Sequence, residues 1–258
     1  MILTGDYHTH TPYSHGKNTV EENVIAAKSV GLKQIGIADH GFSHIAFGIR
    51  RKKIIDYKKE CEEASKKHGI DVLVGIESNI RGIGGVADLT QKDFENFDIY
   101  LCGKHVFIHY DTLKDAFLYG AGNFLLDKLK MKPSKKMIKR NTEAYINTIK
   151  NNPIDAVTHL NYQCKADALE VAKCAADYGT YIELNSKKTH LTDEELCDIV
   201  AKTSARFIIN SDAHSQKRVG DTSRVEAQLA RIQFPLDRID NIDGRYPEFR
   251  FAEYKRHM

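Results

Sequence analysis

The chain has 258 residues, of which 41% are hydrophobic and 28% charged, and its formal net charge is +3. These values are ordinary for a soluble globular protein of one large domain or two small ones, and the charge is too small to indicate nucleic acid by itself. No apolar stretch approaches the ~18 residues of a membrane span, and the N-terminus lacks the basic and apolar regions of a signal peptide. The five cysteines form no CxxC pair, which favours free thiols and a cytoplasmic protein.

Short apolar, β-branched runs alternate along the chain with helix patterns. Such runs are typical of strands buried on both faces of a parallel sheet. Repeated strand–helix units favour a closed or nearly closed barrel, which places functional residues at the C-terminal strand ends. The predicted strands are Asp6–His10, Gln34–Ala38, Asp71–Gly75, Asp98–Gly103, Ile154–Thr158, Thr180–Leu184 and Arg206–Asn210.

Helix boundaries are marked in the intervening segments. Thr19 with Glu22, and Thr192 with Glu195, have the spacing of a capping box ahead of an apolar helix pattern. Gly31 and Gly179 stand where helices should end, because glycine adopts the left-handed backbone of a C-terminal cap.

One connection is longer than the others. The insert at about residues 109–150 separates two strand ends that each carry a histidine. It begins with an apolar, glycine-bearing part and continues in a run, Lys128–Arg140, with seven basic residues in 13. Long loops at a catalytic face are often lids or specificity elements, so we expect the insert near the active-site mouth.

Metal-ligand residue types follow the predicted strands. His8 and His10 lie two apart, so both side chains point to the same side of a strand. Glu77 closes an apolar run, where a buried carboxylate without a cation would cost several kcal/mol. Imidazoles mixed with carboxylates suit Zn, Mn or Fe. Each motif alone would be weak, but their common position at strand ends predicts one metal site. The candidate ligands are His8, His10, His15, His40, Glu77, His105, His159, Asp212 and His214.

The motifs resemble those of the polymerase and histidinol phosphatase (PHP) superfamily. The similar segments are Asp6–Thr11, Asp39–Gly41, Gly75–Glu77, the His105 and His159 motifs, and Ser211–His214. The resemblance implies a distorted (β/α)7 TIM-like barrel with three ions at the C-terminal strand ends. It assigns His8, His10, Glu77 and Asp212 to one ion, His105 and His159 with Glu77 to a second, and His15, His40 and His214 to a third.

The resemblance also implies a mechanism. Two or three divalent ions, with Zn as first choice and Mn or Fe as alternatives, would supply a bridging hydroxide that attacks phosphorus. We expect Glu77, Asp212 and His214 to carry catalysis. Candidate substrate-binding residues are Asn185, Lys217, Arg218 and His109, whereas His44, His68, His190 and His257 lack partner spacing and are expected to be ordinary surface histidines.

Three functions follow from these observations. The first is a stand-alone, histidinol-phosphatase-like enzyme that hydrolyses a small phosphomonoester, with histidinol phosphate as a candidate substrate. The second is a nuclease or phosphodiesterase, favoured only by the basic run Lys128–Arg140. The third is a non-catalytic metal-binding module, against which the complete ligand set argues. The sequence names neither the substrate nor the oligomeric state.

Overall fold

A single sheet of seven strands, hydrogen-bonded in chain order, forms the centre of the computed structural model, which describes residues 1–258. All six strand pairs are parallel. Every predicted strand is present, although β5 is shorter than expected. The strands are β1 (Gly5–Thr9), β2 (Gln34–His40), β3 (Asp71–Asn79), β4 (Ile99–Gly103), β5 (Ala156–Val157), β6 (Tyr181–Asn185) and β7 (Phe207–Asn210).

The seam between β1 and β7 makes the barrel nearly, rather than fully, closed. Thr9 and Ala213 form one isolated parallel bridge across it. Elsewhere along this seam, the buried side chain of Asn241 takes the place of backbone hydrogen bonds between the two strands. Its Nδ2 donates to Gly5 O of β1 and Ile209 O of β7 at 2.8 and 2.6 Å. The predicted fold class, a distorted (β/α)7 TIM-like barrel, is confirmed.

Helices cover the outside of the barrel and follow the predicted boundaries. Both predicted capping boxes are present, at Thr19 and at Thr192. Gly31 and Gly179 have φ angles of 85° and 66°, as expected just beyond a helix end. The helices are α1 (Val20–Ser29), α2 (Ile54–His68), α3 (Leu113–Asp115), α4 (Gly122–Lys128), α5 (Lys135–Asn151), α6 (Ala168–Tyr178), α7 (Asp193–Lys202), α8 (Ser223–Ile232) and α9 (Arg250–Arg256), with a π-helical turn at Ala116–Ala121 and 3₁₀ turns at Arg51–Lys53, Gln91–Asn96, Gln216–Arg218 and Leu236–Arg238.

The inside of the barrel is apolar at one end and polar at the other. Tyr181 belongs to a cluster of seven buried hydrophobic residues that is separate from the 51-residue core under the helices. Since alternate residues of a strand share a face, Glu183 and Asn185 lie on the same face of β6, nearer its C-terminal end. A register shift in β1 between Asp6 and Thr9 interrupts its pairing with β2 just where the candidate ligands begin.

The insert is folded. It comprises α3, the π-helical turn, α4 and α5, and α5 packs against α6. Six of its seven basic residues between Lys128 and Arg140 are exposed. All five cysteines are free, as predicted, and four of them are buried. None of the helices combines the length and apolar composition needed to cross a bilayer.

Candidate metal centre

Glu77 lies at the centre of the polar end of the barrel and is fully buried. Its Oε1 is 3.2 Å from His105 Nε2 and 2.7 Å from His159 Nε2. The other oxygen, Oε2, faces three imidazole nitrogens at 2.8–3.7 Å, those of His8, His10 and His40. The strands bring these residues together from positions 8 to 159, because each stands at or just beyond a C-terminal strand end. One carboxylate therefore faces five imidazoles, each oxygen toward a different set.

Several ligand atoms in this centre are buried without a hydrogen-bond partner. They are His8 Nε2, both ring nitrogens of His10, His40 Nδ1, Glu77 Oε2 and His159 Nδ1. A buried polar atom left unpaired costs roughly 1–3 kcal/mol, so six in one place would be expensive unless something binds them. The donor set is the one that zinc, manganese and iron accept. The residues therefore fit divalent metal ions.

The electrostatics keep most of these groups in the state that binds metal. Burial raises the pKa of Glu77, but the surrounding imidazoles outweigh it and hold that pKa well below its usual range. Burial, with the nearby His40 and His214, holds the pKa of His10 well below its ordinary value. Burial likewise lowers the pKa of His105 to about 3. A carboxylate and neutral imidazoles near neutral pH are the forms that metals require.

A second layer of hydrogen bonds fixes which nitrogen of each ring faces the centre. His8 Nδ1 lies 2.7 Å from Glu183 Oε1, and His105 Nδ1 lies 2.9 Å from Asn79 Oδ1. Each of these oxygens can only accept, so Nδ1 donates and Nε2 is left free for a metal. Glu183 Oε2 also accepts from the backbone N–H of His159, so this one carboxylate supports two candidate ligands.

Asp212 and His214 form the opposite side of the centre. Asp212 Oδ1 lies 3.5 Å from His10 Nε2 and 3.2 Å from His214 Nδ1, and Lys187 Nζ lies 3.1 Å from both Asp212 Oδ1 and His214 Nδ1. Asp212 and His159 have φ angles of 48° and 31°. Positive φ is uncommon for such residues, and where it occurs the surrounding structure must hold it. Here it directs two candidate ligands into the barrel mouth.

The structure brings together all nine candidate ligands, with a grouping that overlaps the one implied by resemblance. Three sets have ligand atoms within 4.8 Å of one another: His8, His10 and Glu77; His40, Glu77 and His105; and His10, His40 and His214. The three sets leave out His15, His159 and Asp212. The ring centroid of His15 is still only 4.3 Å from that of His214 and 4.9 Å from that of His40. The division of ligands between individual ions stays a prediction.

A cavity of about 450 Å³ opens above the centre. None of the four predicted substrate-binding residues lines it. Asn185 is buried and donates to Asp212 Oδ2 at 3.2 Å, so it orients a candidate ligand. Arg218 pairs with Asp221, and Lys217 and His109 are exposed away from the cavity. The positions of Lys217 and Arg218 depend on the path of the loop after β7, which sequence spacing alone does not define.

Two histidines that were not predicted to belong to the site line the cavity. The prediction that His44 and His190 are ordinary surface residues is wrong, because both line the cavity. The His44 ring stacks on His40 at 5.2 Å, and its Nδ1 accepts the backbone N–H of Phe47 at 3.2 Å. Its Nε2 therefore carries the proton in the neutral ring. The ring centroid of His190 lies 6.0 Å from that of His159. Their sequence spacing did not predict this, because the loop after β2 has to fold back before His44 contacts His40, and His190 contacts His159 from a distant strand end.

Three other residues of the site, Glu183, Lys187 and Lys188, were also not predicted from the sequence. Glu183 had a recognisable mark, a charged residue inside the apolar strand run Tyr181–Leu184. Lys187 and Lys188 line the cavity just after that strand but look like an ordinary surface pair in sequence. Asp6, which begins the first of the similar motif segments, accepts hydrogen bonds from the backbone and hydroxyl of Ser211.

Comparison with known proteins agrees with this geometry. A model of the PHP domain family matches residues 6–187. A protein named as a probable phosphatase from Proteus mirabilis is 30% identical over 93% of this chain and 90% of its own length. Another, from Thermoanaerobacter sp. (strain X514), is 30% identical over 99% of this chain and 97% of its own.

A solved structure has the same fold. The histidinol phosphate phosphatase of Lactococcus lactis, crystallised with zinc, L-histidinol and phosphate, is 14% identical and superposes with a TM-score of 0.63. The match covers 91% of this chain and 95% of that one. The chain belongs to the PHP domain family and is a metal-dependent phosphatase.

Proposed function

We propose that the protein hydrolyses a small phosphomonoester at a centre of two or three divalent ions built around Glu77. The observation that carries this proposal is the carboxylate of Glu77 among five imidazoles, with buried ligand atoms that have no other partner. Zinc is the first choice because the Lactococcus lactis relative was crystallised with it, and manganese and iron suit the same donors.

The residues that would hold the ions are the nine candidate ligands, with Glu77 shared between ions because its two oxygens face different imidazoles. When bound, divalent ions supply Lewis acidity and make hydroxide available from water near neutral pH. Glu183 and Asn79 hold the rings of His8 and His105 with Nε2 toward the centre. No cysteine or serine nucleophile is required, so we expect no phosphoenzyme.

Protein groups outside the ligand set would act on the substrate. The ammonium of Lys187, beside Asp212 and His214, can pair with an anionic group of the substrate. A leaving alkoxide needs a proton, and His44 presents a proton on Nε2 at the cavity wall while Phe47 fixes its ring through Nδ1. The cavity of about 450 Å³ suits a small molecule better than a polymer.

A matched pair of substrates tests this function. Protein stripped with a chelator and reloaded separately with zinc, manganese or iron should hydrolyse p-nitrophenyl phosphate, a monoester, much faster than bis(p-nitrophenyl) phosphate, a diester. Histidinol phosphate enters the same panel as the named candidate, and a single-stranded oligonucleotide tests the nuclease alternative. Diester or oligonucleotide cleavage faster than monoester hydrolysis would overturn the proposal, as would equal activity with and without metal.

A further inference from the structure

The part of the cavity wall outside the ligand set is positively charged. Lys187 and Lys188 both line the cavity and follow β6 directly. Their backbone N–H groups donate to Asn185 Oδ1 at 3.0 and 3.2 Å, so a buried amide fixes the turn that presents them. Lys188 has no carboxylate partner within salt-bridge distance. The only partners of the Lys187 ammonium are Asp212 and His214, which are themselves candidate ligands.

No carboxylate in the cavity is free to bind a cationic group. The only two acidic residues that line it are Glu77 and Asp212. Glu77 is enclosed by imidazoles, and Asp212 already contacts His10, His214 and Lys187. Asp127, from the insert, lines an adjoining pocket together with Lys165 rather than this cavity. A substrate ammonium would therefore meet two lysines and no unoccupied acid, which is unfavourable at short range.

On this basis, and resting on the proposed function, we propose that the preferred substrate is a phosphomonoester whose organic part carries a second anionic group. Lys187 and Lys188 bind that group, which is a carboxylate or a second phosphate, while the ligand set takes the phosphoryl group to be hydrolysed. The same wall disfavours amino-bearing phosphomonoesters, and histidinol phosphate is one of these.

Non-hydrolysable phosphonates of equal chain length measure this preference as binding, apart from turnover. Isothermal calorimetry on metal-loaded protein would compare propylphosphonate, phosphonopropionate, propylene bisphosphonate and aminopropylphosphonate. We expect at least one of the two compounds with an anionic tail, phosphonopropionate or propylene bisphosphonate, to bind about fivefold or more tighter than propylphosphonate, and aminopropylphosphonate to bind more weakly. The carboxylate and bisphosphonate arms tell which second anion fits.

Charge-matched variants locate the effect. Replacing Lys187 and Lys188 together by methionine should remove the preference. Replacing Lys173 and Lys202, which are exposed on α6 and α7, removes the same charge and should leave the preference intact. The proposal is overturned if aminopropylphosphonate binds as tightly as propylphosphonate, whose tail is uncharged. It is also overturned if the Lys187/Lys188 variant keeps the full preference. Hydrolysis of p-nitrophenyl phosphate without any such preference would refute this inference alone, whereas no hydrolysis of any monoester would refute the proposed function.

Discussion

Replacing Glu183 by glutamine tests the layer of hydrogen bonds behind the metal centre. Its Oε1 accepts from His8 Nδ1 and Asn210 Nδ2 at 2.7 and 2.9 Å. Its Oε2 accepts from the His159 backbone and Asn185 Nδ2 at 2.8 and 3.0 Å. A glutamine amide nitrogen cannot accept, so in either orientation two buried donors lose their partner.

The size of the effect follows from those two donors. At ~1–3 kcal/mol for each unpaired buried group, the variant should lose roughly 2–6 kcal/mol of unfolding free energy. The His8 ring also loses its fixed tautomer if the amide nitrogen faces it, and such outer-layer changes typically weaken metal affinity about 10- to 100-fold.

Two measurements separate these effects. Urea unfolding of metal-free protein gives the stability loss, and competition with a chelating dye gives the metal affinity. Glu170→Gln, on the exposed side of α6 where Glu170 pairs only with Lys173, is the control and should change both by little. Wild-type metal affinity and stability in Glu183→Gln would refute the assignment of Glu183 as the residue that orients His8.

Two further predictions concern the ligands themselves. Metal affinity should fall as the pH falls, by about tenfold per pH unit for each proton that binding releases. Burial lowers the pKa of His8, but Glu77 and Glu183 raise it more, so this pKa lies well above its ordinary value. A metal ion must therefore displace a proton from His8 in order to bind. Titration in buffers of different ionisation enthalpy would count those protons, and a pH-independent affinity would contradict the prediction. Gly103→Ala should lower metal content and activity, because a Cβ there would clash with Thr158 Oγ1 and would lie 2.6 Å from His159 Cε1. Gly84→Ala, with no atom within 4 Å, should not. Equal metal content in the two glycine variants would show that His159 is not displaced.

The strand-end motifs predicted the architecture because their chemistry and their spacing agree. A carboxylate such as Glu77 at the end of a buried apolar run is stable only if a cationic partner compensates its charge, and parallel strands bring such strand ends together. The helix caps at Thr19 and Thr192 were predictable for a local reason, since a capping box satisfies backbone donors within four residues.

The rest of the site depends on contacts that no local pattern contains. His44 is defined by a ring stacked on His40 and a backbone donor at Phe47, both of which need the folded loop. The cavity lysines could not be distinguished from Lys217 in sequence, because which loop bends over the barrel is set by the Asn185 side chain and by the left-handed backbone at Asp212. Glu183 could have been predicted from the sequence, because a charged residue inside a buried apolar strand needs a partner.

The most direct test of the central claim measures metal content and phosphomonoester hydrolysis together, in wild-type protein and in Glu77→Gln. Elemental analysis should find two or three transition-metal ions per wild-type chain, and p-nitrophenyl phosphate hydrolysis should disappear on chelation and return on reloading. Because both oxygens of Glu77 face imidazoles, the isosteric Glu77→Gln variant should bind fewer ions and lose nearly all activity. A Glu77→Gln variant that holds the full complement of ions and turns over at the wild-type rate would contradict the account, as would wild-type protein that hydrolyses the ester without metal.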